Sequence, residues 1–132
     1  MDKVLICGDR NWGTRVEDGL TIVYQPEVDL IASWVCKLQD WGYDTIIEGE
    51  ARGADIIARN LGKKMGFNII AVPADWQKCG KSAGPIRNSE MLKHEPSLVL
   101  AFHSNIENSK GTKNMVHQAT KSGIEVIIIK GV

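Results

Sequence analysis

Five short apolar runs set the strongest limit on this chain's fold. They read KVLICG (3–8), DTIIEG (44–49), NIIAVP (68–73), SLVLAF (97–102) and EVIIIK (125–130). The first is almost continuously apolar, as in a central parallel strand covered on both faces, and the others also read as strands. Between them lie stretches with apolar residues at helical spacing. Val28, Ile31, Val35 and Leu38 recur within 26–41, and Ile57 and Leu61 within 54–65. Further helices are expected over PIRNSEMLKHE (85–95) and TKNMVHQATKSG (112–123). Pro26 and Pro85 suit first helical turns, and Gly42, Gly66 and Gly123 suit helix ends. Strand–helix alternation requires crossover connections and therefore a parallel sheet. The expected fold is α/β, Rossmann-like and doubly wound. Its mainly parallel five-stranded sheet has the order 3-2-1-4-5, with helices on both faces.

The chain has 132 residues, the size of one domain, here taken as 1–132. Lys plus Arg equals Asp plus Glu at 16 each, so no bulk basic field favours nucleic acid. Cys7, Cys36 and Cys79 form no CxxC or Cys/His cluster, and His94, His103 and His117 lack metal-ligand spacing. No metal or cofactor is therefore expected. Odd, scattered cysteines fit a reducing compartment, and the first apolar run is too short for a secretion signal or a membrane span. A cytoplasmic protein with no membrane partner is the simplest expectation.

The connections are unequal. After the strands come GDRNWG (8–13), EGEARGAD (48–55), PADWQKCGKSAGPIRN (73–88) and HSNIENSKGT (103–112), all polar and glycine-bearing. The opposite connections, WGYD, MGFN, HEPS and SGIE, are short and plain. Ligands of open α/β sheets sit beyond the carboxyl ends of the strands, so one composite site is expected there. Gly8, Gly49, Gly53, Gly84 and Gly111 allow close backbone approach. Gly53 and Gly111 also open helices, whose starts favour anions, and Thr112 adds a hydroxyl. Arg10, Arg52 and Arg87 offer planar forks for phosphate. Asp55 suits a helix cap, a loop anchor or a ribose contact, and Asn88 suits ribose or loop support. Trp12 and Trp76 lie in the same loops, where either packs the loop or stacks on a base, whereas Trp34 and Trp41 share a helix face and fit packing. Neither GxxxxGK[ST] nor a GxGxxG after the first strand is present, which counts against P-loop NTPases and ordinary dinucleotide dehydrogenases.

Four of these stretches together resemble the SLOG superfamily, the Rossmann-like group of the LONELY GUY phosphoribohydrolases and DprA-type DNA-processing proteins, and most closely its YspA-like branch. The matching segments are GDR (8–10), GEARGAD (49–55), PADWQKCGKSAGPIRNSEM (73–91) and SKGTKNM (109–115), in order over nearly the whole chain. The resemblance implies binding or sensing of a nucleotide or nucleotide-derived ligand, such as ADP-ribose or a nucleoside monophosphate, by a homo-oligomer. The alternative it implies is phosphoribohydrolase-type cleavage of an N-glycosidic bond, with Arg87 in the catalytic arginine's place. The family's acidic position then falls at Asn114 or Met115, and Asn114 cannot serve as a general base near neutral pH. Asp9, Glu50 and Asp55 are the carboxylates available to replace it. Single-stranded DNA binding, by analogy with DprA, is the least favoured reading, because no aromatic–basic array accompanies the neutral net charge. The expected ligand-binding set is thus Gly8, Asp9, Arg10, Gly49, Arg52, Gly53, Asp55, Trp76, Gly84, Arg87, Asn88, Gly111, Thr112 and Asn114.

Overall fold

The structure is a computed structural model that describes residues 2–131. All five apolar runs form strands of one parallel sheet: β1 (Asp2–Gly8), β4 (Tyr43–Glu48), β5 (Asn68–Ala71), β6 (Leu98–Phe102) and β7 (Glu125–Ile129). The remaining strands, β2 (Thr14–Glu17) and β3 (Leu20–Val23), form a separate antiparallel hairpin within the segment after β1. The main sheet has the order β5-β4-β1-β6-β7. Counting only its own strands along the chain, this is 3-2-1-4-5, the arrangement of a doubly wound sheet.

Helices α1 (Gln25–Asp40) and α2 (Ala54–Lys64) cover one face of the sheet. There, Ile31, Val35 and Leu38 of α1 pack with Val4, Ile6, Ile46 and Leu100. Helices α4 (Ala83–Leu92) and α5 (Gly111–Lys121) cover the other, where Met91, Met115 and Ala119 meet Leu5, Ile47 and Val99. The alternation of Val4 and Ile6 against Leu5 and Cys7 sends neighbouring β1 side chains to opposite cores. The short α3 (Trp76–Cys79) and a 3-10 turn at Gly80–Ser82 organise the stretch expected as a loop, and Asp75 caps α3 by accepting from the Lys78 N–H.

Helix α2 differs in detail from the periodicity. Ile57 and Leu61 pack against the core as expected but are only half-buried, and the buried residues are Ala54, Asp55, Ala58 and Gly62. The helix lies so close to β4 that a Cβ on Gly62 would come within 2.6 Å of Ile46 Cδ1. Small residues allow that approach, and the larger ones flank the contact. Likewise, Trp34 and Trp41 touch edge-on at 6.3 Å, but only Trp34 packs against the core, while Trp41 is 53% exposed.

Neighbouring strands β1 and β6 form the switch point, paired from Val4↔Leu98 to Gly8↔Phe102. The chain leaves β1 through an Asp9 N–H bond to Phe102 O (2.8 Å) and then crosses the start of α2, where Ala54 N–H donates to Asp9 O (3.2 Å). Gly53 makes the crossing possible. Its φ is +82°, and a Cβ there would collide with Asp9 O and lie 2.6 Å from Arg10 O. Gly53→Ala is therefore expected to cost more than roughly 3 kcal/mol, combining left-handed strain with a backbone clash. Gly66→Ala also has a positive φ but open space around it, and should cost only about 1 kcal/mol. Urea unfolding of the two variants checks this, and equal losses would show that the crossing is not rigid.

Candidate functional site

Two adjoining cavities open at the C-terminal edge of the sheet. The larger, about 730 Å³, lies over β1 between the loops after β1 and β4 on one side and the starts of α4 and α5 on the other. Arg10, Arg52, Lys81, Arg87 and Lys110 line it, together with Asp9 and Asp55. Gly8, Trp76, Gly84, Asn88, Gly111 and Thr112 complete the expected residues that the structure brings together there. The smaller cavity, about 390 Å³, is lined by Gly49, Glu50 and Pro73 and shares Arg10, Arg52, Trp76 and Arg87 with the larger. Of the residues expected from sequence, Gly53 and Asn114 line neither cavity.

Gly53 serves the loop crossing. Asn114 is held in a polar network in which its Oδ1 accepts from Asn88 Nδ2 (3.0 Å) and Gln118 Nε2 (2.7 Å). Asn88, 2% exposed, also donates to Gly111 O (3.2 Å) and accepts from Arg87 Nε (3.1 Å). Asn88 thereby ties α4 to the start of α5 and fixes the guanidinium beside it. Arg87 Nη1 donates to Gly49 O (2.8 Å). The side chain passes so close to Gly49 that a Cβ there would lie 2.5 Å from Nη1 and 2.9 Å from Cζ. Gly49 is thus the space through which Arg87 reaches the wall common to both cavities.

In the GEARGAD loop the backbone donors turn inward. Gly49 and Ala51 N–H both donate to Asp55 Oδ2 (3.1 and 3.3 Å), and Glu50 N–H donates to Glu48 Oε1 (3.0 Å). Three successive N–H groups, a grouping that elsewhere cradles anions, are occupied here by the chain's own carboxylates. Glu48 is fully buried, and its Oε2 has no partner, so burial pushes its pKa up, partly offset by the Glu50 N–H and Arg59. These three N–H groups are therefore not offered to the cavity, and at the start of α5 the Thr112 N–H is taken by Ser109 Oγ (3.1 Å).

The two loop tryptophans part company. Trp12 is 2% exposed, stands edge-on to Phe102 at 5.4 Å and donates from Nε1 to Glu27 O (2.9 Å). It closes the first loop onto α1 and lines neither cavity, because the turn from Asp9 to Thr14 folds it inward. Trp76 is 51% exposed at the rim, with Arg10 over its ring at 5.9 Å. Arg52 is exposed, with one bond to Asn11 Oδ1 (3.4 Å).

The sequence reading passed over Cys7 and Met91, which form part of the cavity floor, and Lys81, which adds a cation. Cys7 and Met91 look like ordinary core residues in sequence, whereas Lys81 carried a usable signal through its place inside the third motif. Cys7, Cys36 and Cys79 are all free thiols, and burial pushes the Cys7 thiol up. Among the described residues no helix is long and apolar enough to cross a membrane, and no three His, Cys, Asp or Glu side chains group as metal ligands.

Asp55 is only 5% exposed. Burial pushes its carboxyl up to about 7, against the opposing pull of Arg87 and the Ala51 N–H, with Glu48 adding to the rise. Between about pH 4 and 7 the unfolded chain has lost this proton while the folded chain keeps it. Stability from this group is therefore present at low pH and falls as pH rises to 7, by about 1.4 kcal/mol per unit. Relative to Asp55→Asn, the native chain should lose roughly 2–3 kcal/mol between pH 5 and 8 in denaturant titrations. Parallel curves would show that Asp55 titrates normally.

No protein-family model matches the chain. It is similar to the Gene 61 protein of Mycobacterium phage D29, 35% identical over 132 residues that span 96% of this chain and 95% of that protein. Identity of this level over nearly the full length of both shows common descent, and the chain belongs to the family of that phage protein.

Proposed function

We propose that this chain binds or senses a nucleotide or nucleotide-derived ligand at the C-terminal edge of its sheet. The observation that carries this reading is the convergence of Arg10, Arg52 and Arg87, from three separate connections, on the wall shared by two cavities. Three guanidiniums in one concave site suit a phosphate or diphosphate through charge and forked donors. Trp76, half-exposed at the rim, offers a face to a base once Arg10 yields or stacks with it. Asn88 and Asp55, expected to contact ribose or support loops, have their loop roles set out above, and both remain in the cavity wall. The SLOG resemblance points to the same class of ligand. The three unpaired cysteines fit the reducing, cytoplasmic setting that we propose for it.

Binding is preferred to N-glycosidic hydrolysis because the family's acidic position falls at Asn114 or Met115, neither of them acidic, and the Asn114 side-chain oxygen is engaged by Asn88 and Gln118. The homo-oligomer implied by the resemblance finds a candidate surface in the β2–β3 hairpin, where Val16, Leu20 and Val23 are each more than two-thirds exposed. Sedimentation of the native chain and of Val16→Ser/Val23→Ser should then differ in oligomeric state, whereas a monomer in both would set that surface aside.

The binding reading is tested by thermal unfolding with the four ribonucleoside 5′-monophosphates and ADP-ribose at millimolar concentration. At a hundred times its Kd a ligand adds about 2.7 kcal/mol, which in a domain of this size raises Tm by several degrees. At least one compound should do so, and Arg52→Ala, an exposed position, should abolish the shift without lowering the ligand-free Tm. No shift with any compound would contradict the reading.

A further inference from the structure

We propose that Asp55 selects for a sugar hydroxyl, so that the site takes the ribose form of its ligand over the deoxyribose form. This rests on the nucleotide reading of the cavity and narrows it.

The two carboxylate oxygens of Asp55 have different surroundings. Oδ2 is fixed by the Gly49 and Ala51 N–H groups. Oδ1 receives no donor from the described residues, and it is not among their sealed orphan atoms, which are Glu48 Oε2 and Arg59 Nε. Asp55 lines the larger cavity although it is only 5% exposed. Its backbone-fixed oxygen holds the carboxylate in place, so the other is a preorganised acceptor at the cavity's depth.

The rest of the polar wall supplies mostly donors. Arg10, Arg52, Lys81, Arg87 and Lys110 call for anionic groups on the ligand. Asp9 is the other carboxylate in the wall; its Oδ1 accepts from the Asn11 N–H (2.8 Å), and it is more exposed than Asp55, so water can satisfy its second oxygen. A ligand that satisfies the whole wall therefore carries phosphate toward the cations and a hydrogen-bond donor toward Asp55. An ammonium donor is opposed by those same cations, whereas a neutral hydroxyl is not.

The groups that face Asp55 support a hydroxyl as well. The charged and titratable groups near it are Arg87 of α4, Glu48 of β4 and Cys7 of β1. Burial raises its carboxyl to about 7, with Glu48 adding to the rise and Arg87 opposing it. Near neutral pH both protonation forms are present, and a hydroxyl donates to the carboxylate and accepts from the acid. Sites built to hydrogen-bond a substrate hydroxyl reject analogues that lack it, because the buried protein group is then left unpaired.

The test measures Kd by calorimetry for the ribonucleoside 5′-monophosphates against their 2′-deoxy and 3′-deoxy counterparts, with native chain and Asp55→Asn. Asparagine keeps an acceptor for the two loop N–H groups and turns an amide donor to the cavity. The expected result is at least a tenfold preference for the ribo form over one of the deoxy forms, narrowing about tenfold in Asp55→Asn. The deoxy series identifies which hydroxyl is read. Equal binding of ribo and both deoxy forms overturns this inference while leaving the nucleotide reading intact. A preference unchanged in Asp55→Asn also overturns it, since another residue then reads the hydroxyl. No binding of either series overturns both. If Asp55→Asn fails to fold, Asp55→Ser, which also offers the loop an oxygen acceptor, takes its place under the same criteria.

Discussion

The site depends on one buried carboxylate. Asp55, in the first turn of α2, collects two N–H groups of the loop that precedes it. Removing a carboxylate from water is costly, and the raised pKa of Asp55 records that cost. In return, the carboxylate ties the loop between β4 and α2 to the first turn of the helix. With the loop set, Gly49 presents its carbonyl to Arg87 and the bare space the guanidinium needs. Gly53 then places its backbone against Asp9 and Arg10, which brings the first connection alongside. Arginines from three parts of the chain reach one wall because these contacts share a hub.

The second support lies on the opposite face of the sheet. Asn88 bonds to Arg87, to Gly111 O and to Asn114, which joins α4 to the start of α5. The cavity is the gap between this piece and the Asp55-centred one, above the strands where the sheet reverses its winding. Polar residues that look like ligand contacts in a linear reading thus divide into two kinds. Gly53 and Asn114 line no cavity and brace the elements behind it, while Arg52, Trp76 and Lys110 line the cavity itself.

Most of the fold could be read from residue order, because each of the five main-sheet strands coincides with a short apolar run and the long helices fall between them, α1 with a clear periodic stripe. The hairpin β2–β3 was only half legible. LTIV is apolar enough to read as a strand, but its partner TRVE has one apolar residue and reads as loop. The buried stripe of α2 was hidden because close packing against β4 selects Ala54, Ala58 and Gly62 in place of larger side chains. At the site, the loops were legible and the inward or outward turn of each side chain was not. Trp12 and Trp76 share composition and context, yet one is sealed by Phe102 and Glu27 while the other stands at the rim. That choice is made by tertiary hydrogen bonds, which no local pattern encodes.

The central claim is that one composite cavity, built from four separate connections, is where a phosphorylated ligand binds. Backbone amide NMR during titration with the ribonucleotide that most raises Tm tests it most directly. The account predicts shifts concentrated at residues 8–11, 51–55, 84–88 and 109–112, with saturation at a common Kd. Shifts confined to the β2–β3 hairpin or to the outer face of α1, with the four connections unmoved, would contradict it.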